Sequence, residues 1–282
     1  MKLCRYGKPG YEKPGMIDDE GKLRDLSKIV GNIGPNEISP RGLKMLTRLK
    51  PESLPLVNGA PRYGVPYVGI GKFVAIGLNY SDHAKEAGLP IPPEPIVFMK
   101  ATTCISGPSD DVIQPKNSTK LDWEVELGVV IGTTARYVDE GSALNHVAGY
   151  CIVNDVSERS FQMATSQWDK GKGFDSAGPI GPWLVTTDEV RDPQTLDMKL
   201  EVNGKTMQSG NTRTMVFNVA KIISHVSQYM TLLPGDIIAT GTPPGVGLGM
   251  RPPVFLKPGD VMRLTIAGLG EQKQRVVAYS AS

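Results

Sequence analysis

The stretch from Leu121 to Ile131 constrains the fold more than any other part of the chain. In Leu121-Asp122-Trp123-Glu124-Val125-Glu126-Leu127, apolar and acidic residues alternate strictly. Side chains on a strand point to opposite faces in turn. Leu121, Trp123, Val125, Leu127, Val129 and Ile131 then form one apolar face, and Asp122, Glu124 and Glu126 share the other. Glu124 and Glu126 are second neighbours, about 7 Å apart at Cα by the strand rise. Two carboxylates so placed repel unless water or a cation screens them. A half-exposed antiparallel strand with its acids in solvent shows the same pattern. Taken alone, the stretch establishes a strand and leaves the use of the acids open.

Other segments repeat the strand signal. Phe73 to Ile76 is a short apolar run, and Gly149 to Val153 is apolar and ends in Asn154-Asp155. Leu196, Met198, Leu200 and Val202 alternate with Asp197, Lys199 and Glu201, and Asn203-Gly204 then marks a tight hairpin. Asp236 to Ala239 and Val261 to Ile266 are further strands. One long amphipathic helix is expected near 218–232, with Val219, Ile222, Ile223, Val226 and Met230 at helical spacing. There is no regular strand–helix alternation, which argues against a doubly wound nucleotide-binding fold. With 32 Gly and 23 Pro, about a fifth of the chain, many tight turns must join short strands. The fold class expected is α+β and strand-rich.

Residues 1–70 read as a separate, smaller unit with its linker, and 71–282 as the catalytic domain. The first unit begins Gly/Pro-rich and holds one helix signal, Ser39 as N-cap before Pro40, Leu43, Leu46 and Leu49. Pro51 to Pro66 reads as a linker. Nothing in this unit gathers acids, bases or ligands.

Composition removes whole classes of function. Thirty-one Lys+Arg balance 29 Asp+Glu, with a net charge of +2. That gives no electrostatic case for nucleic acid or an anionic membrane. No run approaches the ~18 apolar residues that span a bilayer, and the first residues lack the apolar core of a signal peptide. Cys4, Cys104 and Cys151 lie far apart, a poor disulfide framework and a poor zinc site. Reduced cysteines and a cytoplasmic location are the expectation. The chain has three histidines, so a metal site here would rest mostly on carboxylates.

Asp155, at the end of an apolar strand, can join Glu124 and Glu126 at a sheet rim. Such an oxygen-only set suits Mg²⁺, Mn²⁺ or Ca²⁺ rather than zinc. His83 and Glu86 stand at i and i+3 on a short helix expected before Gly88, so they share a face. A carboxylate beside an imidazole orients it as a general base requires. The four prolines between Leu89 and Pro95 suggest that this helix acts as a lid. Lys172, between Gly171 and Gly173, reads as a loop lysine whose flanking glycines allow close approach to a ligand. Thr240-Gly241-Thr242 follows a strand with N–H groups and hydroxyls that can hold an anion. His146 and His225 read as structural. No nucleophile elbow, zinc-helix motif or phosphate loop is present.

Six of these segments, in this order, resemble the fumarylacetoacetate hydrolase family. They are Gly77 to Tyr80 with His83 and Glu86; Pro95 to Lys100; Asp122 to Leu127; Asn154 to Arg159; Gly171 to Asp175; and Gly235 to Pro243. The likeness covers about residues 71–279, with a short N-terminal unit of bacterial type. The resemblance implies a mixed β-roll catalytic domain, a homodimer, and Mg²⁺ or Mn²⁺ held by Glu124, Glu126 and Asp155. It places the catalytic pair on His83 and Glu86, the active-site lysine on Lys172, and substrate contacts on Arg159, Gln162 and Thr242.

The activity this implies is hydrolysis of the C–C bond of a 2,4-diketo acid, either an acylpyruvate or a diketo-deoxy sugar acid. The metal would chelate the keto-acid end, and His83 would activate water. Lys172 and the Thr240–Thr242 loop would support the oxyanions. Ureidoglycolate lyase, oxaloacetate decarboxylase and keto–enol isomerase chemistry would use the same site. A non-catalytic β-rich protein, or a metal-dependent binding module without turnover, are the readings from other classes.

Overall fold

The computed structural model describes residues 1–88 and 90–280, so Leu89 of the expected lid and the last two residues lie outside the described residues. The chain is strand-rich with few helices, and its sheets are mixed. The larger sheet has ten strands. Its main order runs Leu23–Asp25, Lys13–Ile17, Lys2–Tyr6, Gly178–Thr186, Val147–Asn154, Val125–Ile131, Ile237–Ala239, Phe73–Gly77 and Ile96–Lys100. Ile237–Ala239 runs parallel to Phe73–Gly77 and antiparallel to Val125–Ile131.

A five-stranded sheet packs on it. Asp197–Val202 and Lys205–Asn211 form a hairpin turned at Asn203 (φ 51°) and Gly204 (φ 78°), the pair of left-handed residues that a type I′ turn needs. Val261–Ile266, Gly270–Ala278 and Val112–Gln114 complete this sheet. Buried amides join the two layers. Gln272 donates to the Ile152 carbonyl (2.8 Å), and Asn154 donates to Gln274 (3.2 Å). Each spends its polar atoms on a partner, so burial leaves no orphan there.

The Leu121–Ile131 stretch differs from the expectation in two ways. It is two strands, Leu121–Asp122 and Val125–Ile131, and both faces are buried throughout. The cause is position. Val125–Ile131 is interior in the large sheet, with the second sheet across one face. The acids therefore face the protein and not solvent.

The expected long helix runs Val219–Tyr229, capped by the Asn218 side chain on the Lys221 N–H at 2.7 Å. It ends short of 232 because Leu232 pairs with Ala135 through two backbone bonds of 2.9 Å. Ser39 caps Pro40–Leu46 as read from sequence. The N-terminal strands Lys2–Tyr6 and Lys13–Ile17 lie in the Gly/Pro-rich opening, where no strand was expected. Lys2–Tyr6 bonds to Gly178–Thr186 and so continues the large sheet. Among the described residues, no helix is long and apolar enough to cross a membrane.

Candidate active site

Sheet register builds the acidic cluster. Val125–Ile131 pairs with Val147–Asn154 so that Val125 faces Asn154 and Glu126 faces Val153. Asp155, one residue past that strand, donates its N–H to the Glu124 carbonyl at 2.9 Å. Carboxylate oxygens of Glu124, Glu126 and Asp155 then lie within 4.8 Å of one another, all buried. Three buried anions at that spacing need cations nearby.

Three basic side chains answer them. Lys172 Nζ donates to Glu124 Oε2 and Asp155 Oδ2, both at 2.7 Å. Lys100 Nζ, fully buried, donates to Asp155 Oδ1 and to the Lys172 carbonyl, both at 2.5 Å. Arg159 spreads its guanidinium over Glu124 (2.6 Å), Asp122 (2.8 Å) and Gln162 (3.0 Å). With Asp122 the cluster holds four acids against three bases.

The electrostatics follow from that imbalance. Burial favours a neutral Glu124, but Lys172 and Arg159 outweigh it and hold its carboxyl well below the usual range. Glu126 goes the other way. Burial, then repulsion from Asp155 and Glu124, push it well above the ordinary value despite Lys172 and the Gly241 N–H. Lys172 is raised, because Asp155 and Glu124 overcome its desolvation. The cluster is short of positive charge, and its oxygen-only donors are those Mg²⁺ and Mn²⁺ prefer. The residues therefore fit a divalent cation. Lys172 already bridges two of the three acids, so a cation held by them would sit beside its ammonium.

Across from the acids sits the short helix Ser81–Ala87. His83 Nδ1 lies 3.0 Å from Glu86 Oε2. Glu86 is itself fixed by the Gly245 N–H, at 3.0 Å to Oε1 and 3.2 Å to Oε2. A carboxylate at Nδ1 places the ring proton there and leaves Nε2 as an acceptor. His83, Glu124, Glu126, Arg159, Gln162, Lys172 and Thr242 line one chamber of about 70 Å³. Asp155 is fully buried behind its wall, and Glu86 stands behind His83. The nine residues singled out from sequence thus gather at one place.

Two expectations fail in detail. Lys172 does not lie in an open loop; it closes the Asp169–Lys172 helical turn and is 2% exposed. The Thr240–Thr242 donors do not await a ligand. Gly241 N–H donates to Glu126 Oε2 (2.8 Å), Thr240 Oγ1 to the Leu127 carbonyl (3.0 Å) and Thr242 Oγ1 to the Val125 carbonyl (2.9 Å). The anion this loop holds is the protein's own carboxylate. Gly241 takes φ 94°, and a Cβ there would stand 2.8 Å from Asn79 Cβ, so only glycine suits the turn.

Sequence reasoning gave no role to Lys100 or Asp122. The signal for Lys100 was a lone charge ending the apolar run Ile96–Lys100. Asp122 accepts from Trp123 N (2.8 Å), Gly247 N (2.7 Å), Leu248 N (2.9 Å) and Arg159 Nε (2.8 Å). It ties the arginine to the loop that covers the site.

Known proteins share this arrangement of chain. Residues 72–277 match the family model for the fumarylacetoacetate (FAA) hydrolase C-terminal region. A Burkholderia multivorans protein that carries only a general hydrolase name is 60% identical over 276 residues, 97% of this chain and 98% of that one. The solved structure of fumarylacetoacetate hydrolase from psychrophilic Exiguobacterium antarcticum superposes with a TM-score of 0.89 at 37% identity, covering 99% of this chain and 100% of that one. Maleylpyruvate hydrolase from Sphingobium sp. SYK-6, solved with manganese(II) and pyruvate, gives a TM-score of 0.82 at 30% identity over 99% of this chain and 100% of that one.

Proposed function

Because the chain belongs to the fumarylacetoacetate hydrolase family, we propose that it is a metal-dependent hydrolase of 2,4-diketo acids. The products are a pyruvate-type acid and a carboxylic acid. The observation that carries this reading is the meeting of the His83–Glu86 pair with the Glu124–Glu126–Asp155 cluster around one small chamber. The Sphingobium relative, with manganese and pyruvate, supports it by likeness.

Bound by Glu124, Glu126 and Asp155, Mg²⁺ or Mn²⁺ supplies Lewis acidity to a 2-oxo acid. The chain's own residues do the rest. Glu86 keeps the His83 proton on Nδ1, so Nε2 takes a proton from water. The hydroxyl adds to the carbonyl at C4. The C3–C4 bond then breaks, C3 keeps the electron pair, and the proton held on Nε2 is available to it. Water's oxygen ends on the acyl fragment. Lys172 and Arg159 border the chamber and offset most of its acid charge, so that with a divalent cation held there the wall would be positive where the substrate carboxylate and the developing oxyanion need it. The same reading carries a cytoplasmic location and a homodimer; light scattering on the purified protein checks the second.

Glu126→Gln tests the assignment. One Mn²⁺ per chain should bind the native protein by calorimetry, and the variant should lose both that heat and turnover. Undiminished turnover in the variant under excess EDTA would remove the metal from the reaction.

A further inference from the structure

The small chamber opens into a second of about 580 Å³. Leu78, His83, Arg159, Gln162 and Trp168 border both. The Trp168 ring packs on Gly77, where a Cβ would come within 2.4 Å of it, and edge-on to Phe98 at 5.4 Å between centroids. The site is thus two rooms of opposite chemistry joined at His83. The inner room is lined with charge and suits the 2-oxo acid head. The bond that His83 addresses lies at the doorway, so whatever hangs beyond C4 enters the outer room.

The outer room's own walls decide what that group is. Met163, Val246, Leu248, Met250 and Pro253 supply its side chains away from the doorway. Two polar side chains remain there. Glu86 is engaged by His83 and the Gly245 N–H. Arg251 stands at an exposed position. Met163, Leu248 and Pro253 are themselves exposed at the room's rim, so an apolar chain laid along them withdraws their surface from water, a gain that a chain bearing several hydroxyls, with few partners on these walls, forgoes. The volume lies within the range of pockets that take whole drug-sized ligands, far more than an acetyl group needs.

Resting on the hydrolase assignment above, we infer that the substrate's acyl end is a bulky apolar group, and that this enzyme is not built for sugar acids. The Met163–Leu248–Met250 wall is the specificity determinant. A buried methylene contributes about 0.8 kcal/mol, or about fourfold in kcat/KM.

The test compares acetylpyruvate, hexanoylpyruvate, benzoylpyruvate and a 2,4-diketo acid of hexanoylpyruvate's length hydroxylated at C5 and C6. Hexanoyl- and benzoylpyruvate should exceed acetylpyruvate at least about tenfold in kcat/KM, and the hydroxylated acid should trail hexanoylpyruvate by at least as much. Met163→Gln and Leu248→Gln should each lower the hexanoyl-to-acetyl ratio. A second readout needs no turnover: calorimetry of the Mn²⁺-loaded protein with pyruvate and with 2-oxooctanoate. Tighter binding of 2-oxooctanoate, even with no compound cleaved, would sustain the apolar room while the hydrolase assignment fell. Cleavage that is best with the acetyl or hydroxylated compound would overturn the inference and leave hydrolysis standing. Equal affinity for the two 2-oxo acids would also overturn it.

Discussion

Replacing Asp122 with asparagine removes one charge and almost no volume from the interior. The native carboxylate is fully buried and takes four donors: three backbone N–H groups and Arg159 Nε. Breaking a buried ion pair by changing one partner costs about 3–5 kcal/mol. Arg159 keeps Glu124 at 2.6 Å, which favours the low end. Against that, the asparagine amide must turn its own donor toward at least one N–H, a loss of about 1 kcal/mol. The expected loss is therefore about 3–4 kcal/mol, a large share of a total stability of about 5–15 kcal/mol. At about 2 °C per kcal/mol for a larger chain, Tm should fall by about 6–8 °C. Urea unfolding followed by tryptophan fluorescence reads this directly, since Trp123 is buried next to the change. A double-mutant cycle with Arg159→Met should return a coupling of about 2 kcal/mol or more. A loss below about 1 kcal/mol with an unchanged urea slope would refute the claim that Asp122 anchors the arginine.

Gly241→Ala should cost upward of about 2 kcal/mol, from φ 94° and the contact with Asn79, and should loosen Glu126 from its N–H donor; thermal unfolding and Mn²⁺ calorimetry check both effects. Glu12 gives a pH signature. Burial opposes its ionisation, but bonds from Arg62 and Arg5 hold its carboxyl below the ordinary range. Its contribution to stability is fully present above the unfolded value of about 4.3 and is lost as pH falls through the lower folded value. Glu12→Gln should therefore unfold more readily than the native protein at pH 7, with the gap closing on acidification below pH ~4; a gap that grows on acidification would contradict the sign.

The site was legible because its acids sit in a periodic pattern. Alternation at 121–127 put Glu124 and Glu126 on one face, and an apolar strand ending at Asp155 put a third acid at a rim. What alternation could not show was burial of the acidic face, which depends on neighbours in the sheet. Lys100 bonds to atoms 55 and 72 residues away, a distance no local pattern spans. The strands at the N-terminus were hidden by the residues that usually end strands; Pro14 lies inside Lys13–Ile17 opposite Arg5. The Thr240–Thr242 loop looked ready for a ligand because its donors were visible in sequence and their acceptors were not. The outer chamber could not be read from motifs, since its walls come from three separated segments that only the fold assembles.

Glu124, Glu126 and Asp155 are proposed to serve a metal-dependent C–C hydrolysis in which His83 activates water. The most direct test follows the enol absorbance of an acylpyruvate with Mg²⁺, with EDTA and with His83→Ala, identifying the products. Metal-dependent release of pyruvate and the matching carboxylic acid, abolished by EDTA, is expected. His83→Ala should lower the rate by about 10²–10⁴-fold, with Mn²⁺ binding retained. Loss of absorbance without release of the carboxylic acid, or full hydrolysis by His83→Ala, would contradict this assignment.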